Sequence, residues 1–107
     1  MISQEWKTNN LTDISYLFNE CSSLKIIPNI SIWRTNNIIN MSHLFYGCYS
    51  LISIPDISNW NTNKVKDMSY IYYGCSSFRS LPNISNWKTD NVENMKSMFS
   101  STSLLKS

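Results

Sequence analysis

Apolar residues recur along this chain in blocks of two kinds, one with helical spacing and one extended. Leu11, Ile14, Leu17, Phe18 and Cys21 fall at steps of 3, 3, 1 and 3. At about 100° per residue they lie within an arc of roughly 120°, one face of a helix. The same slots hold Ile38, Met41, Leu44, Phe45 and Cys48, then Val65, Met68, Ile71, Tyr72 and Cys75, then Val92, Met95, Met98, Phe99 and Thr102. The spacing predicts a helix in each block. Two residues before each apolar start stands Asn9, Asn36, Asn63 or Asp90, residue types that cap free N–H groups. Gly47 and Gly74 lie where the second and third helices would end and suit a left-handed cap, while Glu20 and Ser101 stand there in the other two. A short extended piece follows over 24–30, 51–57 and 78–84, with 24, 27, 30 and their equivalents expected to face inward. Pro28, Pro55 and Pro82 lack an N–H and limit each strand to about two to four residues.

The blocks are copies of one unit. Trp6, Trp33, Trp60 and Trp87 are spaced by 27, as are Cys21, Cys48 and Cys75, the three Pro, and Thr8, Thr35, Thr62 and Thr89. The copies run 6–32, 33–59, 60–86 and 87–107, the last truncated, and copies two and three agree at 14 of 27 positions without a gap. A constant period with no insertions predicts a single domain over 1–107. The expected fold class is an α/β repeat: a short solenoid with one helix and one short strand per 27-residue coil. The start ahead of the first Trp and the stop inside the fourth copy leave no polar capping unit in view, which fits a fragment or a self-associating chain.

Composition narrows the function classes. Hydrophobic residues are 42% of the 107, enough for a core, and charged residues only 15%. A net charge of +2 does not suggest a nucleic-acid partner. No apolar run is long enough to insert in a membrane, and no secretory leader is recognised at the N-terminus. Three Cys, an odd number, argue against a closed disulfide framework.

The pattern W-x-T-x-x-V-x-D-M-S-x-M-F-x-x-C-x-x-L is carried nearly intact by Trp60, Thr62, Val65, Asp67, Met68, Ser69, Ile71, Tyr72, Cys75 and Phe78. It resembles the BspA-like leucine-rich repeat family, which includes surface-lipoprotein repeats of mycoplasmas, and the resemblance extends over essentially the whole chain. It implies a leucine-rich-repeat-like solenoid with strands on one side and helices on the other. It also implies display on a cell surface or secretion, and a non-enzymatic role in adhesion or recognition, with a protein or glycan on another cell as partner. An alternative is an intracellular or self-assembling scaffold whose partner is itself, stacked end to end through uncapped coils. The family carries no catalytic motif to transfer.

No catalytic, cofactor or metal site is expected. There is no Gly-rich phosphate loop, nucleophile elbow or paired acid/base cluster. The Cys column offers one ligand per coil without a second ligand column, so it reads as a small buried residue in a repeat slot. His43, the single His, has no Asp–Ser arrangement around it. The Trp column could stack on sugars, but four Trp in one slot favour packing between coils. One Thr per coil is a thin array for ice, and hydrogen bonding at a turn suits that column better. Sequons at Asn10, Asn29, Asn40 and Asn83 follow from the Asn/Ser-rich repeat.

The candidate contact surface is drawn from variable slots off the apolar arc and from the strand face. Tyr16, His43 and Tyr70 share one slot, Tyr46 and Tyr73 another, and Tyr49 stands apart. Lys25, Ile52 and Arg79 form a column on the expected strand. Tyr is enriched where proteins recognise one another.

Overall fold

A computed structural model describes residues 11–102. It overturns the expected α/β repeat. Among the described residues there is no helix, and β pairing is confined to isolated bridges. The chain forms a compact body of turns and loops, 37 × 31 × 21 Å with a radius of gyration of 13.0 Å. The helix-plus-strand solenoid of the leucine-rich-repeat type is therefore not the architecture of this chain.

The reason lies in where the backbone N–H groups go. A helix requires each to bond four residues back along its own segment. Here Ile14, Tyr16, Phe18 and Glu20 donate instead to the carbonyls of Asn40, Ser42, Leu44 and Tyr46 in the next copy, at 2.6–3.0 Å. Met41, His43, Phe45 and Gly47 donate in the same way to Asp67, Ser69, Ile71 and Tyr73, and Met68, Tyr70, Tyr72 and Gly74 to Asn94, Lys96, Met98 and Ser100. N–H groups between these close tight turns, as in Leu17 to Ile14, Asn19 to Tyr16 and Cys21 to Phe18.

A left-handed residue at every fourth position makes this alternation possible. Positive φ occurs at Tyr16 (63°), Glu20 (57°), His43 (58°), Gly47 (74°), Tyr70 (59°), Gly74 (78°), Ser97 (54°) and Ser101 (57°). In the turn closed by Cys21 N–H to the Phe18 carbonyl, Glu20 is the third residue, the position at which a type II turn demands φ above zero. The glycines expected to cap helices fill that same turn position in copies two and three.

Asx turns replace the expected helix caps. Parallel bridges join Asp13 to Asn40, Asn40 to Asp67 and Asp67 to Asn94. Each of these side chains accepts the N–H two residues on: Ser15 at 2.8 Å, Ser42 at 2.9 Å, Ser69 at 2.9 Å and Lys96 at 3.0 Å. A second set sits after each Pro, where Asn29, Asp56 and Asn83 accept the N–H of Ser31, Ser58 and Ser85. These are Asx turns, a local alternative to helix for the backbone. Asn36, Asn63 and Asp90 cap no helix, and Asn9 lies outside the described residues. The pieces over 24–30, 51–57 and 78–84 form no strand. Among the described residues the backbone bonds between them are Ile52 N–H to the Lys25 carbonyl and Arg79 N–H to the Ile52 carbonyl, both at 3.0 Å.

The core is nevertheless built from columns one copy apart. Ile38, Met41, Leu44, Phe45 and Cys48 are buried, as are Val65, Met68, Ile71, Tyr72 and Cys75. Phe18 stacks on Phe45 at 5.5 Å, Phe45 on Tyr72 at 5.7 Å and Tyr72 on Phe99 at 5.0 Å. Burying each such side chain contributes roughly 1.5–3 kcal/mol. That exceeds the net ~1 kcal/mol of a single hydrogen bond, so side-chain columns dominate and backbone bonds set the register. Of the inward positions expected after each turn, Ile27, Ile30, Leu51, Ile57 and Phe78 are buried and Leu24, Ile54 and Ile84 half-buried, but Leu81 is exposed.

Candidate functional site

The slots off the apolar arc converge on one flank. Positive φ at Tyr16, His43 and Tyr70 turns their side chains away from the core in one file. The Tyr16 and His43 rings stack at 4.4 Å with 11° between planes, and His43 and Tyr70 at 4.8 Å with 20°. A second file, Tyr46 on Tyr73, stacks at 4.9 Å with 8° between planes. The files lean on each other through His43–Tyr46 at 5.2 Å and Tyr70–Tyr73 at 5.6 Å. Five of the nine residues singled out from the sequence thus form one aromatic ladder.

The ladder's geometry limits what it can hold. Each stacked pair consumes two ring faces, so His43, held between Tyr16 and Tyr70, has both faces covered, while Tyr16, Tyr46, Tyr70 and Tyr73 each have one face paired. A sugar-stacking platform needs free faces. Among these five rings the outer face of Tyr16 is the most open, with that residue 53% exposed. Burial pulls the His43 imidazole below its ordinary value of 6.5, with the Asp67 carboxylate a smaller opposing influence. Its Nδ1 is buried and has no hydrogen-bond partner among the described residues.

Of the remaining candidates, Tyr49 borders the ladder, close enough for its phenol to act on that of Tyr46, and Lys25, Ile52 and Arg79 lie elsewhere. Tyr49 is exposed, and its Cε1 passes 3.2 Å from where a Cβ on Gly74 would stand. Lys25, Ile52 and Arg79 form a row joined by the backbone bonds between copies, with Lys25 and Arg79 exposed and Ile52 half-buried. Shallow grooves of about 220 Å³, between the Pro55 and Pro82 segments, and about 320 Å³, bounded by Ile39, Lys64, Lys66 and Asn91, bring no acid/base pair together. Among the described residues no group of three or more His, Cys, Asp or Glu could hold a metal, and no helix is long and apolar enough to cross a membrane.

Of the Trp, Thr and Cys columns, Trp33, Trp60, Trp87, Thr35, Thr62, Cys48 and Cys75 are buried, Cys21 is half-buried and Thr89 exposed, and Trp6 and Thr8 lie outside the described residues. Trp33, Trp60 and Trp87 are buried and stacked at 6.3 and 6.4 Å, and the indole N–H groups of Trp60 and Trp87 donate to the carbonyls of Ile30 and Ile57 at 3.1 and 3.0 Å. Thr35 accepts the Asn61 N–H at 2.9 Å and Thr62 donates to the Lys88 carbonyl at 2.9 Å. The thiols of Cys48 and Cys75 are free, buried and directed at the carbonyls of Phe18 and Phe45, at 3.1 and 3.2 Å. Thr102 makes the same bond to the Tyr72 carbonyl. The slot expected to hold a small hydrophobe thus also supplies a hydrogen-bond donor. Threonine in the fourth copy was the available signal.

No curated protein and no solved structure matches this chain significantly. A family match does, over residues 2–107. It is in keeping with the mycoplasma repeats that the Trp–Thr–Cys pattern resembles, and its breadth leaves one conclusion: the chain belongs to the family described as Mycoplasma protein of unknown function, DUF285.

Proposed function

We propose that the chain is a non-enzymatic recognition module, of the adhesive kind found among BspA-like surface repeats, whose partner is a protein bound along the aromatic ladder. The single observation that carries this is the fusion of Tyr16, His43, Tyr46, Tyr70 and Tyr73 into one stacked surface. Rigid, pre-stacked Tyr side chains lose little entropy on binding and offer hydroxyls at the rim of an apolar patch, a combination enriched at protein interfaces. With both faces of His43 and one face of each Tyr already paired, the ladder suits a protein surface better than a glycan.

The test is saturable binding of the fluorescently labelled chain to intact animal and bacterial cells. Each cell type is compared untreated, protease-treated and periodate-treated. The expected result is binding that protease abolishes, periodate spares and the Tyr70→Ala/Tyr73→Ala variant weakens at least tenfold with its circular dichroism spectrum unchanged. Periodate-sensitive, protease-resistant binding would make the partner a glycan and overturn the protein reading. Absence of saturable binding on every cell type would overturn recognition altogether.

A further inference from the structure

We infer that the edge formed by residues 93–101 pairs head to tail with residues 12–19 of a second copy of this chain. The bonds that join successive copies are directional. In each turn segment the four outward N–H groups point toward the following copy and the four outward carbonyls toward the preceding one. Peptide dipoles therefore align along the stack, as in a helix, leaving one edge rich in donors and the other rich in acceptors.

At the donor edge, the N–H groups of Met95, Ser97, Phe99 and Ser101 occupy the slots from which Met68, Tyr70, Tyr72 and Gly74 donate forward, yet have no backbone acceptor among the described residues. At the acceptor edge, the carbonyls of Asp13, Ser15, Leu17 and Asn19 occupy the slots of Asn40, Ser42, Leu44 and Tyr46 and have no backbone donor among the described residues. One further step of the same register places these edges opposite each other. Met95 N–H meets the Asp13 carbonyl, Ser97 meets Ser15, Phe99 meets Leu17 and Ser101 meets Asn19. The reverse bond seen as Glu93 N–H to the Lys66 carbonyl continues as Thr12 N–H to the Glu93 carbonyl, and the Asp13–Asn40–Asp67–Asn94 series of bridges gains a further member.

Apolar exposure marks the same edges. Met95 is 46% and Phe99 36% exposed, whereas Met68 and Tyr72, one copy earlier in the same slots, are fully buried. Leu17 is 38% exposed, whereas Leu44 and Ile71 are fully buried. Ile14 and Phe18 are already covered, so the joint is carried by the backbone row with Leu17 and Tyr16 on one side and Met95 and Phe99 on the other. A backbone row that finds no partner among the described residues is a template for another chain. Because donor and acceptor edges differ, the contact is heterologous and open, and it propagates.

Light scattering after size exclusion over a hundredfold concentration range tests this with two single-edge variants, Met95→Glu and Leu17→Glu, both at exposed positions. The unaltered chain should grow in mass from the 12.5 kDa monomer to dimers and longer stacks. Each variant alone should remain monomeric, with a thermal transition like that of the dilute parent. An equimolar mixture of the two should give a one-to-one dimer and nothing larger, because each supplies the edge the other lacks. A parent chain that stays monomeric throughout would overturn the inference. So would either variant dimerising alone, which marks a symmetric contact, or a mixture that fails to pair.

Discussion

The Cys48 thiol donates to the carbonyl of Phe18, 30 residues earlier, at 3.1 Å. Cys75 stands in the same relation to Phe45, and Thr102 to Tyr72. Both thiols sit in a slot that the Thr102 hydroxyl fills in the fourth copy. Cys48→Thr should therefore change the unfolding free energy by less than about 1 kcal/mol. Cys48→Val, the same shape without a donor, should fall below the threonine variant by about 0.5–1.5 kcal/mol. Urea unfolding of the two variants checks the order, and a valine variant at least as stable as the threonine one would remove the donor from the account.

Burial pushes the Cys48 and Cys75 thiols up to about 12, each with the neighbouring Cys of the column as a lesser cause. Unfolding returns them to about 9. Between those values the folded chain holds more protons than the unfolded one, so stability falls as pH rises. Their contribution should be fully present below about pH 9 and decline progressively above it, and the double Cys→Thr variant should flatten that decline. At pH 8, alkylation followed by mass spectrometry should find Cys48 and Cys75 protected until the chain unfolds, since the reactive species is the thiolate.

Tyr72 is the one tyrosine in a column otherwise made of Phe18, Phe45 and Phe99, and it is fully buried. Its hydroxyl has no hydrogen-bond partner among the described residues, and burial drives its pKa far up. An unsatisfied buried hydroxyl costs on the order of 1–3 kcal/mol. Tyr72→Phe should therefore raise stability by roughly 1 kcal/mol or more, read as a higher urea midpoint at unchanged slope. A lower midpoint would mean that the hydroxyl has a partner in solution.

The residues of the core were legible in the sequence, but their secondary structure was not. The spacing puts Ile38, Met41, Leu44, Phe45 and Cys48 on one inward face, and all five are buried. Steps of 3, 3, 1 and 3 fit a helix of 3.6 residues per turn, but equally fit linked turns with a left-handed residue every fourth position. Over so few residues the two periods do not diverge. What separates them is local chemistry: Asp or Asn two residues before a Ser, in the column Asp13, Asn40 and Asp67, is an Asx-turn signal. Gly47 and Gly74 answer equally to a helix cap and to a type II turn. The aromatic ladder was half legible. The variable slots were visible, but their fusion depends on Tyr16, His43 and Tyr70 adopting positive φ, a conformation uncommon for tyrosine.

That same conformation makes Glu20 an improvable position. Its φ is 57°, and copies two and three place Gly47 and Gly74 in the equivalent slot. A side chain in the left-handed region costs about 1–2 kcal/mol, and glycine gives back part of that gain through its freedom in the unfolded chain. Glu20→Gly should therefore stabilise by roughly 0.5–1 kcal/mol. Gly74→Ala should do the reverse, because φ is 78° and the new Cβ would meet Tyr49 at 3.2 Å. Thermal unfolding of the pair provides the check, and a destabilised Glu20→Gly would show that the Glu20 side chain contributes more by packing over Gly47 than it costs in strain.

His43 is enclosed by Tyr16 and Tyr70, and burial lowers its pKa from 6.5 despite the opposing Asp67. A base whose folded value is depressed favours the fold in its neutral form. The folded chain then binds fewer protons than the unfolded chain just below pH 6.5, and stability rises with pH through that window. The contribution should be fully present above pH 6.5 and lost as the pH falls through the folded value. As the single His in the chain, its imidazole C–H resonance can be titrated without ambiguity by NMR, and the midpoint should lie below 6.5. Asp67→Asn removes the opposing charge and should move the midpoint lower still. A midpoint above 6.5 in the parent chain would mean that the Asp67 carboxylate outweighs desolvation, and the ladder would then carry a cation at its centre near neutral pH, with its attraction for acidic partners increasing on acidification.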